Sequence, residues 1–303
     1  MTPVADVLGV DAQTLVDAIG LGAVYALMAV GIGLVFGVLR LVNFAYGQLV
    51  MAGAYALALA SEWDWPGWAG ILLCFAVVIV LSLAMERAVF RPLRTQSPAV
   101  MLVATFAVAF LLQSIALLWF GPLGKIASSF ASLNRPVDVA GVDVRKVTIV
   151  AIVVAAICLA GLVLLLERTR IGLHMRAAAL DFQTARLLGV DANRVIGAAV
   201  LVSGLLAAIV AVLLTVQTPL VTPDFALQST IVVLAGVVVG GMNRLVSATL
   251  GGFAIGFASG LLGGALPTDQ SQYLPSFLFG LVILVLLIRP GGLFTRGQAV
   301  QRI

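Results

Sequence analysis

A single histidine, His174, and two cysteines, Cys74 and Cys158, supply the only imidazole and thiol groups of this 303-residue chain. One histidine cannot form a zinc-binding pair, and no HExxH is present. Each cysteine lies inside an apolar run without CxxC spacing, so both read as buried thiols rather than a disulfide or metal site. "GPLGK" at Gly121 to Lys125 is like the end of a phosphate-cradling loop but lacks the leading glycine spacing and is followed by Ile126. The chain is therefore expected to carry no cofactor and not to hydrolyse ATP itself. Acidic residues fall near the ends of apolar runs, not within them, which leaves little for a proton or sodium relay to use. The remaining polar groups at membrane depth are modest: Tyr25, Asn43, Tyr46, Gln48, Gln113, Ser114, Ser203 and Gln217. Asn43, Tyr46 and Gln48 are candidate lining of a translocation path for a small amphipathic solute. The other reading of Asn43 and Gln48 is hydrogen bonding between helices.

The elements that would position these groups follow from composition. At 10% charged, 62% hydrophobic and a mean hydropathy of +1.18, the chain departs far from a soluble domain and reads as an integral membrane protein. Its apolar runs are continuous for about 20 residues, the length of a spanning helix, whereas a membrane barrel would show alternating strands of about 10. Nine charge-free segments can be drawn: 18–39, 42–60, 67–85, 98–121, 147–166, 195–217, 226–242, 247–266 and 273–288. The first two are separated only by a short polar link and the seventh is short and glycine-rich, so one of these is expected to be re-entrant or broken. The fold class is an all-α polytopic bundle of eight or nine transmembrane segments, residues 1–303 forming one domain. The N-terminal stretch has no basic region and three aspartates, so it does not read as a cleavable signal.

Orientation follows from lysine and arginine. If the segment around 168–194 is cytoplasmic, alternation puts 13 of the 17 basic residues inside and leaves Lys125, Arg135, Arg145 and Lys146 outside. The C-terminus is then cytoplasmic, and Trp63, Trp65 and Trp68 suit an outer aromatic belt. This distribution also makes the net charge of +4 a topology signal rather than a sign of nucleic-acid binding. Gly252, Gly256, Gly260 and Gly264 recur every fourth residue, which puts them on one ridge where helices can approach closely.

The densest polar stretch runs from Glu167 to Asn193, with Arg194 at the membrane edge. It reads as a cytoplasmic loop holding one amphipathic helix from about Leu173 to Leu188, stopped by Gly189. Leu173, Ala177, Leu180, Thr184 and Leu187 or Leu188 make its apolar stripe. A solvated hairpin is one reading. Docking of that stripe in a partner's groove is the other, and the small-residue patch with its glycine stop favours it.

Three stretches carry a family likeness: "GLGAVYALMAVGIGLVFGVLRLVNFAYGQLVMAGAY" from Gly20, "GLHMRAAALDFQTARLLGVDANRVIG" from Gly172, and "GGMNRLVSATLGG" from Gly240. They resemble the LivH-type permease subunits of bacterial ATP-binding-cassette importers for branched-chain amino acids. Arg40, Asn43, Phe44 and Gly47 match in the first stretch, and Gly172, Arg176, Ala177, Asp181, Ala185 and Gly189 in the second. The chain departs at Tyr46, Leu180, Asn243 and Arg244. The resemblance implies import of branched-chain or other amphipathic amino acids across the bacterial inner membrane, with 167–194 as the ATPase-docking coupling loop. It also implies a homologous second permease, two ATPase subunits and an external solute-binding protein. Related permeases carry urea or short amides, and a stand-alone channel or secondary transporter is the alternative outside the family.

Overall fold

The computed structural model describes residues 12–39, 43–93, 96–139, 142–241, 244–267, 270–289 and 292. Arg40, Arg94, Asn243, Arg296 and Arg302 lie outside the described residues. The helices are α1 Ala12–Leu39, α2 Tyr46–Glu62, α3 Gly67–Met85, α4 Pro98–Phe120, α5 Lys146–Arg168, α6 Arg170–Leu180, α7 Phe182–Leu187, α8 Ala192–Gln217, α9 Leu227–Gly240, α10 Leu245–Ala265 and α11 Leu274–Ile288. Each of the nine apolar segments read from the sequence holds one of these helices, and α6 and α7 lie in the polar stretch between the fifth and sixth. Six of the nine apolar helices have the length and composition to cross a membrane, while α2, α9 and α11 are shorter, at 17, 14 and 15 residues. Helix α9 has only 14 residues. It therefore rises about 21 Å, short of a hydrocarbon core about 30 Å thick.

Loop structure adds four short strands that the sequence reading did not include. β1 Lys125–Ile126 pairs antiparallel with β4 Leu220–Val221, and β2 Pro136–Val139 pairs antiparallel with β3 Val142–Arg145. Runs this short fall below what alternation can reveal.

The chain packs as two compact units, Met1–Val30 with Ser132–Ala156 and Ile231–Ile303, and Gly31–Ala131 with Ile157–Thr230. In the second unit α2, α3 and α8 pack on one another. Gly53 makes this possible, because a Cβ there would lie 2.8 Å from the Ala211 Cβ and 2.9 Å from a Val78 methyl. Ser82 of α3 donates to the Val200 carbonyl of α8 at 3.0 Å, which satisfies a buried hydroxyl inside this contact. Ser97 caps α4, its hydroxyl accepting from the Val100 N–H with Pro98 in the first turn.

In the first unit α10 meets α1 along the glycine ridge. A Cβ at Gly256 would lie 2.7 Å from the Tyr25 Cβ and 2.9 Å from the Gly22 Cα, and one at Gly260 would lie 2.5 Å from the Ala18 Cα. Gly252 faces Ala29 and Gly264 faces Thr14 in the same way. The α1 side thus reads Thr14, Ala18, Gly22, Tyr25 and Ala29, a row at helical spacing that runs alongside the ridge. A neighbouring face of α10 meets α9 through Gly251, whose Cβ would fall 2.6 Å from the Gly240 Cα. Asp17 ties this unit's loop end, accepting from the Thr148 hydroxyl at 3.0 Å and pairing with Arg145 at 3.3 Å.

Candidate functional site

Asn43, Tyr46 and Gln48 surround the first turn of α2, and the structure buries all three almost completely. Asn43 turns the chain into the helix: its Oδ1 accepts from the Ala45 N–H at 3.1 Å, the local side-chain-to-backbone bond for which asparagine is suited. Tyr46 lays its ring and hydroxyl on Gly31 of α1, where any Cβ would collide with the ring at 2.7 Å. The carbonyl of the same Gly31 accepts from the Ser203 hydroxyl of α8 at 2.7 Å. Gln48 lies two residues beyond Tyr46 and so projects from nearly the opposite side of the helix axis. The structure therefore places the three residues in one turn but aims Tyr46 and Gln48 at different neighbours. Neither the Tyr46 hydroxyl nor the Gln48 Oε1 has a hydrogen-bond partner among the described residues. Gln113 is half-buried and Ser114 exposed on α4, away from this turn in sequence and burial.

The position of that turn is unusual for a spanning helix. Gly31 lies about two turns before the Leu39 end of α1, or about 12 Å along the axis. Helix α2 thus starts beside the interior of α1 rather than at its end. Helix α9 starts at the same place. A Cβ on Gly47 would lie 3.1 Å from the Ala226 carbonyl oxygen and against the Thr230 hydroxyl, so the first turns of α2 and α9 touch. The residues before α9 reach this point in non-helical form. Val221 packs beside Met51 and Tyr55 and pairs with Lys125, which bridges Glu62 at the far end of α2 with a 2.6 Å contact. The helix between Gly47 and Glu62 is about 22 Å long. That is the distance the Val221–Ala226 segment helps to cover. Pro219 and Pro223 suit this stretch, since neither offers an N–H to a helix. The first turns of α2 and α9 thus begin side by side. Gly31, Gly47, Ala226 and Thr230 complete this site, and polarity alone did not point to them; the visible signal was a glycine on each of two adjacent apolar segments.

The 167–194 segment folds as two helices, not one. Asp181 interrupts the expected helix in extended conformation, φ −149° and ψ 107°, and its carboxylate accepts from the Thr184 N–H at 3.2 Å to start α7. An aspartate favours such a cap over a helix interior, which is why the helical pattern through Leu180 and Leu187 breaks there. Thr169 caps α6, accepting from the Gly172 N–H at 3.0 Å. Gly189 ends α7 at φ +90°, with the Val190 N–H returning to the Ala185 carbonyl at 3.0 Å. This is a left-handed helix stop, which glycine adopts freely. Gly172 and Ala185 are buried within the chain, together with Met175 and Ala178. A side chain at Gly172 would overlap Leu165 and Leu166. Leu173, Leu180, Leu187 and Leu188 are exposed, Leu180 and Leu187 at 86% and 88%, with Arg176, Asp181 and Thr184 exposed and Ala177 half-buried. The loop therefore has one face that anchors it and an exposed leucine-rich face.

Among the described residues no group of three histidine, cysteine or acidic side chains is placed to hold a metal ion. A family profile described as the permease component of branched-chain amino acid transport systems matches residues 14–287. The high-affinity branched-chain amino acid transport permease BraD of Pseudomonas aeruginosa is 31% identical over 274 residues, covering 86% of this chain and 88% of that protein. LivH of Escherichia coli K12, of the same description, is 27% identical with the same coverage. Among solved structures, PsaBC from Streptococcus pneumoniae in complex with Fab aligns with a TM-score of 0.52 at 13% identity, covering 94% of this chain and 95% of that one. An inward-facing putative metal-chelate type ABC transporter aligns with the same TM-score at 17% identity, covering 93% and 88%. At such identities the structural likeness is one of fold.

Proposed function

Because the chain belongs to the permease-component family of branched-chain amino acid transport systems, we propose that it moves branched-chain or similarly amphipathic amino acids into the cytoplasm as one subunit of an ATP-driven importer. ATP is hydrolysed in two separate ATPase subunits, a homologous second permease completes the path, and an external binding protein delivers the solute. The chain sits in the bacterial inner membrane as one multi-pass permease domain with its C-terminus in the cytoplasm. The 13-to-4 distribution of basic residues supports that orientation.

The observation that carries this reading is the uncovered leucine face of α6 and α7 on a segment anchored by Gly172, Met175, Ala178 and Ala185. An apolar face on an otherwise charged loop gains by being covered, and a loop held at its back transmits what is pushed against its front. Glu substituted at Ala177 or Leu180 puts a charge into that contact, and an unpaired charge is costly to bury. The test expresses Ala177→Glu and Leu180→Glu with all partner subunits and measures membrane abundance, co-purified ATPase and uptake. Abundance should hold while ATPase capture and uptake are lost. ATPase capture and uptake persisting in both variants would return the segment to a solvated hairpin. Ala185→Glu is unsuitable for this purpose, because the inward position of Ala185 means it would disrupt the loop itself.

A further inference from the structure

Resting on the importer reading, we infer that the abutting first turns of α2 and α9 form a mid-depth station for the amino acid in transit, holding its carboxylate at the two helix N-termini and its ammonium on Gln48. Helix α2 begins beside Gly31, in the interior of α1, and α9 begins beside Gly47. A helix N-terminus presents N–H groups without intrahelical acceptors and carries a partial positive charge. Inside a hydrocarbon layer such ends persist only where they are enclosed by protein or line a cavity, and paired half-helix ends of this kind suit an anionic group of a solute. Asn43 serves the Ala45 N–H with its side chain and the Tyr46 N–H with its carbonyl, and the Ala45 carbonyl serves the Gln48 and Leu49 N–H groups. The Asp224 carbonyl serves the Leu227 N–H at 2.9 Å, so among the described residues the N–H groups of Gly47 and Gln228 are those left for an anion. The side chain of Asp224 is exposed, so no buried carboxylate occupies the place.

The independent pointer to a ligand is Gln48. Its Oε1 is buried and lacks a partner among the described residues, a state that costs free energy unless something else uses the oxygen. Long side chains on a helix lean back toward its N-terminus, which brings this carboxamide over the same first turn. An acceptor oxygen beside two positive helix ends offers one group to each charge of a zwitterion. A urea or a simple amide would leave the helix ends without an anion, so the station favours amino acids over neutral amides. Gly47 has no side chain to keep the two turns apart, and Thr230 spends its hydroxyl on the Ala226 carbonyl at 2.7 Å rather than competing for the solute. In the present conformation the station is closed.

The experiment uses the complete transporter with its binding protein in nanodiscs, arrested during turnover, and photo-leucine, a diazirine analogue of leucine, as the probe. Labelled peptides are mapped by mass spectrometry. Peptides containing 43–48 and 224–230 should be labelled, and Gln48→Leu should abolish that labelling and lower leucine uptake at least tenfold while the complex still assembles. Gln48→Met, measured in parallel, gives the same reading should the leucine variant fail to assemble. Labelling confined to other segments, or labelling and uptake unchanged in both variants, overturns the station. A wild-type complex that takes up no amino acid overturns the importer reading instead.

Discussion

At the residue scale, Tyr46 and Gly31 form a pair in which each explains the other. Gly31 is there because the Tyr46 ring occupies the space of its side chain, and Tyr46 is fully buried because Gly31 admits it. The pair should therefore show strong coupling: Gly31→Ala forces the ring away and costs about 1–3 kcal/mol as overpacking, whereas Gly31→Ala in a Tyr46→Ala background costs much less. Thermal unfolding of the two single variants and the double variant measures this. The Tyr46 hydroxyl is a separate matter. With no partner among the described residues, it contributes no hydrogen bond to stability, so Tyr46→Phe should leave the melting temperature unchanged or raise it slightly. A fall of several degrees would show that the hydroxyl is bonded in the membrane. Ser203→Ala contrasts with it, since the Ser203 hydroxyl does bond the Gly31 carbonyl, at 2.7 Å. Loss of that bond should cost about 1 kcal/mol.

At the element scale, the helices of the chain divide into those that sequence pattern reveals and those it does not. The ridge from Gly252 to Gly264 was legible because small residues every fourth position share one face. Its tightness was not legible, since spacing says nothing about how close the facing backbone comes. Sequence reasoning alone makes alanine on the ridge a mild change. The 2.9 Å approach of a Gly256 Cβ to the Gly22 backbone makes it a costly one, because backbone cannot move aside as a side chain can. Gly256→Ala should thus lower stability by about 1–3 kcal/mol and Gly256→Leu should prevent assembly. Gly264→Ala should be milder, because it meets only the side chain of Thr14. Equal melting temperatures for Gly256→Ala and Gly264→Ala would contradict this ordering. The break at Asp181 was hidden for a different reason: the apolar periodicity passes straight through it, and only the cap on Thr184 reveals two helices.

At the scale of the whole molecule, hydropathy located all nine apolar helices because it responds to apolar composition, but it does not distinguish helix from extended chain within a crossing. The apolar segment 226–242 matches α9 within two residues, but the extended residues before it, with Pro219, Pro223 and Asp224, were not counted as span, so whether they share a crossing with α9 was not legible. This has a consequence for topology that can be measured. If α9 completes a crossing begun by the extended segment before it, Leu220 and Arg244 lie on opposite faces of the membrane. If α9 is re-entrant, both lie on the same face and the bundle has eight crossings. Leu220 is 53% exposed and Arg244 is exposed, so both positions accept a probe. In a background with Cys74 and Cys158 replaced by alanine, a membrane-impermeant maleimide added to intact cells should label Leu220→Cys and Arg135→Cys. It should reach Arg244→Cys and Thr184→Cys only after permeabilisation. Nine crossings then hold, together with an outer N-terminus and an inner C-terminus, and the leucine face of α6 and α7 lies where ATPases are found. Labelling of Leu220→Cys and Arg244→Cys from the same side would leave α9 re-entrant and reverse every segment after it. Labelling of Thr184→Cys in intact cells would invert the whole bundle and remove the docking assignment with it.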